Sequence, residues 1–255
     1  MVLSVQRHGD IWELQLDRPP ANALHPELMI PLRQQLALAY QQAKAVVLSG
    51  QRGMFCAGLD VPALLTMTPD QAQVLMQEFL GLSADLLEAP IPVIAALTGH
   101  APAGGTMLAI FCDARIMARG PFKLGMREVA VGLSVPPAAY SALCELVGAR
   151  QARLLCLEAR FVEAEEAFAM GLVDSLEEMD EVVPRAVAWA QRWTALPTHA
   201  FHSTRTMMRR SLVAEAAGLR EAAMGHSGLF HGHETQAAML QLLNNLKKTI
   251  PDHPA

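Results

Sequence analysis

A chain of 255 residues that is 52% hydrophobic and 18% charged has room for one large domain, or one with a small appendage, and is too apolar to stay disordered. Its formal net charge of -5, with no basic stripe interleaved with aromatics, argues against nucleic acid and against an anionic membrane surface as partners. The opening stretch "MVLSVQRHGDIWELQL" has no basic segment leading into an apolar one, and no apolar run is long enough to span a bilayer, so a cytoplasmic protein is expected. The four scattered cysteines, Cys56, Cys112, Cys144 and Cys156, sit in apolar surroundings and are expected to be buried, reduced thiols.

In chain order, "VLSV" and the alternating "IWELQLD", joined by His8-Gly9-Asp10, predict a hairpin. Pro26 opens a helix that puts Leu28, Leu32, Leu36 and Ala39 on one face. "AVVLSG" is a short buried strand ending at Gly50. "TPDQ" at 68–71 starts a helix with a hydroxyl cap, Pro in the first turn and Gln at the capping-box position. "IPVIAALTG" and "ARIMAR" are the next buried strands, and "EAEEAFAMG" is a helix that Gly171 stops. Strands alternating with helices predict an α/β core. From about Pro197 the strand signal ends, so residues 1–196 form the core with the site and 197–255 a helical region.

Two loops share one plan. "SGQRGMFCAGLD" follows a strand end with Gly50, Gly53 and Gly58, and "GHAPAGGTMLAIF" follows another with Gly104 and Gly105 before an apolar helix. Glycine there means positive φ or a close approach to the backbone. On spacing alone each loop reads first as a tight turn, glycine turns being common, and second as a set of backbone N–H donors aimed at a ligand oxygen.

Taken together, "FCAGLD", "HAPAGGTMLAIFCDARIMA" and "KLGMREVAVGL" resemble the enoyl-CoA hydratase/isomerase (crotonase) superfamily in order and spacing, from "RPPANAL" to the helical tail. The resemblance implies a spiral of ββα units with a C-terminal helical trimerisation region, a homotrimer or hexamer, and an acyl-CoA thioester as substrate. Coenzyme A would be part of that substrate, with no separate cofactor and no metal. It assigns the amides of Leu59 and Gly104 as an oxyanion hole and Glu128 as the catalytic acid/base. It assigns Ala21, Ala23, Leu24, Ala57, Asp60, Phe230 and Lys247 to substrate and CoA binding, with the backbone around Ala21, Ala23 and Leu24 at the adenine and Phe230 with either Lys247 or Lys248 at the nucleotide end.

The family's hydratases, which the chain resembles, carry a second glutamate on the first turn of the helix that starts at Gly104; here Met107 stands there. Adding water suits two carboxylates, whereas moving a double bond needs one. The resemblance is therefore strongest to the Δ3-Δ2-enoyl-CoA isomerases, with hydration, another acyl-CoA reaction (hydrolysis or decarboxylation), or acyl-CoA binding without chemistry as the alternatives. Arg127 departs from the pattern of those isomerases and is expected to point away from Glu128.

The other candidates read as structural. Asp60 suits loop support through bonds to nearby N–H groups, and His100 suits packing. "HSGLFHGHE" lacks metal-ligand spacing and reads as an exposed polar segment.

Overall fold

The computed structural model describes residues 2–225, 230 and 232–249, the backbone alone at 225 and 246–249. The chain opens on the hairpin β1 (Leu3–His8) and β2 (Ile11–Leu16), antiparallel from Leu3↔Leu16 to His8↔Ile11. Helix α1 (Pro26–Gln42) then buries Leu28, Leu32, Leu36 and Ala39. There follow β3 (Ala45–Ser49), β4 (Gly53–Met54), α2 (Val61–Leu64), α3 (Pro69–Leu87), β5 (Val93–Leu97), β6 (Gly99–Pro102), α4 (Gly104–Phe111), β7 (Ala114–Ala118) and β8 (Lys123–Gly125). After a 3-10 turn at Val129–Val131 come α5 (Pro137–Leu157), β9 (Val162–Glu163), α6 (Ala164–Ala169), β10 (Ser175–Glu177), α7 (Val182–Thr194), α8 (Thr198–Gly225) and α9 (His233–Thr249).

From β3 to β8 successive strands alternate between two sheets. The larger runs β1-β2-β3-β5-β7-β10 and is parallel from β2 onward; the smaller runs β4-β6-β8-β9. The pairs β3/β4, β5/β6 and β7/β8 each place one strand in the large sheet and the next in the small one. That is the ββα spiral. A parallel sheet must be covered on both faces, and the alternation in β3 and β5 does this. Val46, Leu48, Val93, Ala95 and Leu97 face the main core, while Val47, Ile94 and Ala96 face Val182, Ala186 and Ala190 of α7.

The two C-terminal helices fold back on their own chain. Arg205 grips Asp113 with Nε and Nη2 at 2.8 and 2.9 Å, and Arg209 joins it at 3.1 Å. Arg209 also donates to the carbonyls of Leu86, Leu87 and Phe111, so it caps the carbonyl ends of α3 and α4 from α8. At the far end of α8, Gln73 Nε2 donates to the Ala223 carbonyl at 2.8 Å. Cys56, Cys112 and Cys156 are buried as expected, but Cys144 is only half-buried; all four thiols are free. Among the described residues, no helix is long and apolar enough to cross a membrane.

Candidate active site

The first loop is tied to the chain before α1. Leu24 N–H donates to the Gly58 carbonyl at 2.7 Å, and Asp60 N–H donates to the Leu24 carbonyl at 3.1 Å. This leaves the Leu59 N–H, which lies between them, on the other edge of the strap. Ala57 N–H donates to the Ala21 carbonyl at 3.0 Å. Buried Asn22, at φ +51, fastens the loops together: its Nδ2 reaches the carbonyls of Leu16, Met54 and Phe55, and its Oδ1 accepts the Arg18 N–H at 2.8 Å. Asn tolerates this left-handed conformation better than most residues; that preference was the sequence signal for a position the sequence reading passed over.

The second loop reaches the first at its glycines. A Cβ on Gly58 (φ +83) would lie 2.9 Å from the Gly104 nitrogen, and one on Gly105 would lie 2.1 Å from the Cys56 carbonyl oxygen. Gly58 has both reasons for glycine, whereas at Gly104 and Gly105 close approach decides. The positive φ before α4 belongs to Ala103, at +49. Among the described residues, neither the Leu59 nor the Gly104 N–H has a hydrogen-bond acceptor. Leu24 Cδ1 and Phe79 Cε2 stand over Gly104, 3.0 and 3.3 Å from where its Cβ would be.

Glu128 begins the 3-10 turn after β8. Thr106 fixes that segment to α4, since its Oγ1 accepts the Gly125 N–H at 2.8 Å while Ala103 N–H donates to the Gly125 carbonyl at 2.7 Å. The carboxyl is buried, 7% exposed for the whole residue, and Oε2 has no partner. Burial pushes its pKa up to about 7; the N–H groups of Glu128 and Arg127 and the Arg127 charge pull the other way and lose. Arg127 turns aside as expected, donating to the Ala159 carbonyl with its guanidinium 4.6 Å from the Phe161 ring centre. Met107, on the first turn of α4, is 1% exposed.

Asp60 supports the loop: Oδ1 accepts the Ala63 N–H at 3.1 Å and Oδ2 takes Arg18 Nη1 at 2.8 Å. The same Arg18 nitrogen donates to the Ala23 carbonyl. His100 packs edge-on to Phe122 and accepts the Lys123 N–H at 3.1 Å. Phe230 corrects the sequence reading. Its ring is fully buried in the apolar core, which leaves it no free face for a nucleotide. The side chains of Lys247 and Lys248 lie outside the described residues, as do His226 and His231. Among the described residues, no cluster of three metal-ligating side chains occurs.

Two clefts open nearby. A cavity of about 480 Å³ lined by His25, Ala63, Met67 and Gln71 adjoins the Leu59–Asp60 loop. A larger one of about 590 Å³, between α1 and α3, shares no residue with the site, and its Arg33, Glu78 and Asp85 are already ion-paired.

The sequence pattern described as enoyl-CoA hydratase/isomerase matches residues 6–250. The chain belongs to that family. It is 34% identical over 76% of its length to a probable enoyl-CoA hydratase of Mycobacterium avium, of which it covers 76%. It is 29% identical over 92% of its length to human mitochondrial enoyl-CoA delta isomerase 1, of which it covers 80%. The solved human mitochondrial delta3-delta2-enoyl-CoA isomerase superposes with a TM-score of 0.89 at 25% identity, covering 97% of this chain and 99% of that one.

Proposed function

We propose that the chain moves the double bond of a 3-enoyl-CoA into conjugation, giving the 2-trans-enoyl-CoA. The thioester oxygen would take the unused N–H groups of Leu59 and Gly104, so that negative charge developing there meets two fixed donors. Glu128 as carboxylate takes a proton from C2; the electron pair spreads into a dienolate over the thioester oxygen, C2 and C4. The same carboxyl returns the proton to C4, and the double bond comes to rest between C2 and C3. A group held near pKa 7 can both accept and give up a proton. The reading calls for no metal and no cofactor beyond the CoA of the substrate itself. Ala21, Ala23, Leu24 and Ala57, on the strap tied to the Leu59 loop, would contact the CoA of that substrate. Exposed Met207 and Met208 on α8 support a contact with further copies of the chain, as a homotrimer or hexamer.

The observation that carries this reading is the buried carboxyl of Glu128 with its unpaired Oε2, and apolar Met107 where hydration would need a second carboxyl. Purified protein with a 3-enoyl-CoA should develop the ultraviolet absorbance of a conjugated thioester. A product heavier by one water as the main species would overturn isomerisation in favour of hydration, the reading that the 34% identity to a probable hydratase favours.

A further inference from the structure

A carboxyl that is buried with one oxygen unpaired is held against its own desolvation, so something must fix the turn that carries it. The backbone of that turn is short and closed on itself: the Glu128 carbonyl accepts from the Val131 and Leu133 N–H groups at 3.0 and 2.9 Å, and Gly132 N–H donates to Val129 at 3.2 Å. The turn ends on Gly132, at φ +73. These backbone bonds all close within residues 128–133, and the holds already described, Arg127 to Ala159 and Thr106 to Gly125, act on the side before the turn.

The outside hold comes from α9, a hundred residues further along. Thr235, 6% exposed, donates from Oγ1 to the Gly132 carbonyl at 3.1 Å. Backbone meets backbone at the same place, since a Cβ on Gly132 would lie 2.9 Å from Thr235 Cα and 3.0 Å from its Oγ1. One turn on, Met239 is 1% exposed and adds an apolar anchor on the same face of α9. The next residues back, His233 and Glu234, are exposed.

We infer that Thr235 is a positioning residue of the proton-transfer site: its hydroxyl latches the end of the Glu128 turn to α9 and so keeps the carboxyl buried. This rests on the isomerase reading for its kinetic consequence but not for its structural one. Of the titratable and charged groups around this turn, Arg127 lies on the turn itself, engaged with Ala159 and Phe161; the Cys156 thiol of α5, pushed up to about 11 mainly by burial, feels the Glu128 charge; and on α9 the exposed His233 and Glu234 precede Thr235. None of them is the partner of the Thr235 hydroxyl, which donates to Gly132.

The test compares Thr235→Val, which keeps the shape and loses the donor, with Thr235→Ser, which keeps the donor. Two readouts are needed. One is kcat and KM on a 3-enoyl-CoA. The other is the infrared band of the Glu128 carboxylic acid followed against pH and assigned by its loss in Glu128→Gln; this requires no turnover. In Thr235→Val the expected result is a kcat lowered about tenfold or more with KM within a factor of about two. The carboxyl band should titrate at lower pH, because a loosened turn lets water reach the carboxyl, and Thr235→Ser should restore both. Thr235→Ala replaces the valine variant should that one not fold. A band that titrates as in the wild type in the variants lacking the hydroxyl would overturn the inference, whatever reaction the protein runs. A shifted band in a protein that hydrates rather than isomerises would leave the latch standing and remove only the isomerase reading.

Discussion

Gly58 and Gly104 touch: a single methyl on the first would lie 2.9 Å from the amide nitrogen of the second. The two donors assigned to the thioester oxygen can share one target only because both loops lack side chains where they meet. Gly58 also has φ +83. Gly58→Ala should lower turnover a hundredfold or more, since removal of one such donor costs about 10²–10³ in rate. It should also lower stability by about 1–2 kcal/mol from left-handed strain. Steady-state rates and urea midpoints measure the two effects separately. An active Gly58→Ala protein would refute the assignment of these amides.

Glu128→Gln should abolish isomerisation, by a factor of about 10² at least. In the wild type, kcat/KM should rise with pH through about 7 and level off, because the base must be ionised.

The same carboxyl links stability to pH. Its folded pKa of about 7 lies above the ordinary 4.5, so between those values the folded state holds a proton that the unfolded state has lost. The contribution is present in full below pH 4.5 and is lost as pH rises through 7, a fall of about 3 kcal/mol. Relative to Glu128→Gln, wild type should therefore lose that amount between about pH 4.5 and 8. Urea unfolding of both proteins at the two pH values checks it; a constant difference would mean that the carboxyl is not buried.

Much of this was legible in the chain, and what was not has a common cause. The capping box at Thr68 is local, and both of its bonds are present, Gln71 Oε1 to Thr68 N–H at 2.9 Å and Thr68 Oγ1 to Gln71 N–H at 3.4 Å. The hairpin around Gly9 is local too. "IPVIAALTG" read as one strand; the structure ends it at Leu97 and starts a strand of the other sheet at Gly99, a division that no hydrophobic alternation marks. Asn22 reaches Met54 and Phe55, Thr106 reaches Gly125 and Thr235 reaches Gly132, all in other elements, and on the sequence these three are isolated polar residues. Phe230 was misplaced because an aromatic residue in a polar tail looks exposed until the fold supplies the core it enters.

Met107→Glu places a second carboxyl on the first turn of α4, where the helix N-terminus favours negative charge. The variant should form a hydrated product that wild type makes little of, read as a gain of one water by mass spectrometry. It should also be less stable, because the position is buried. No hydrated product at all would show that Met107 is not what bars water.

Arg209→Ala should cost about 3 kcal/mol or more, because it leaves three carbonyls at the ends of α3 and α4 without this donor and takes one of two arginines from Asp113. Arg209→Lys should recover little of that, since one ammonium cannot reach as many partners as a planar guanidinium. Denaturant midpoints decide it.

In the reading proposed above, both amide donors, the carboxyl and the α9 residue proposed to steady it come from one and the same polypeptide. Crippled copies therefore cannot repair each other: co-refolding Glu128→Gln with Gly58→Ala should yield an inert mixture, and diluting intact copies with either should reduce the rate in simple proportion to the intact fraction.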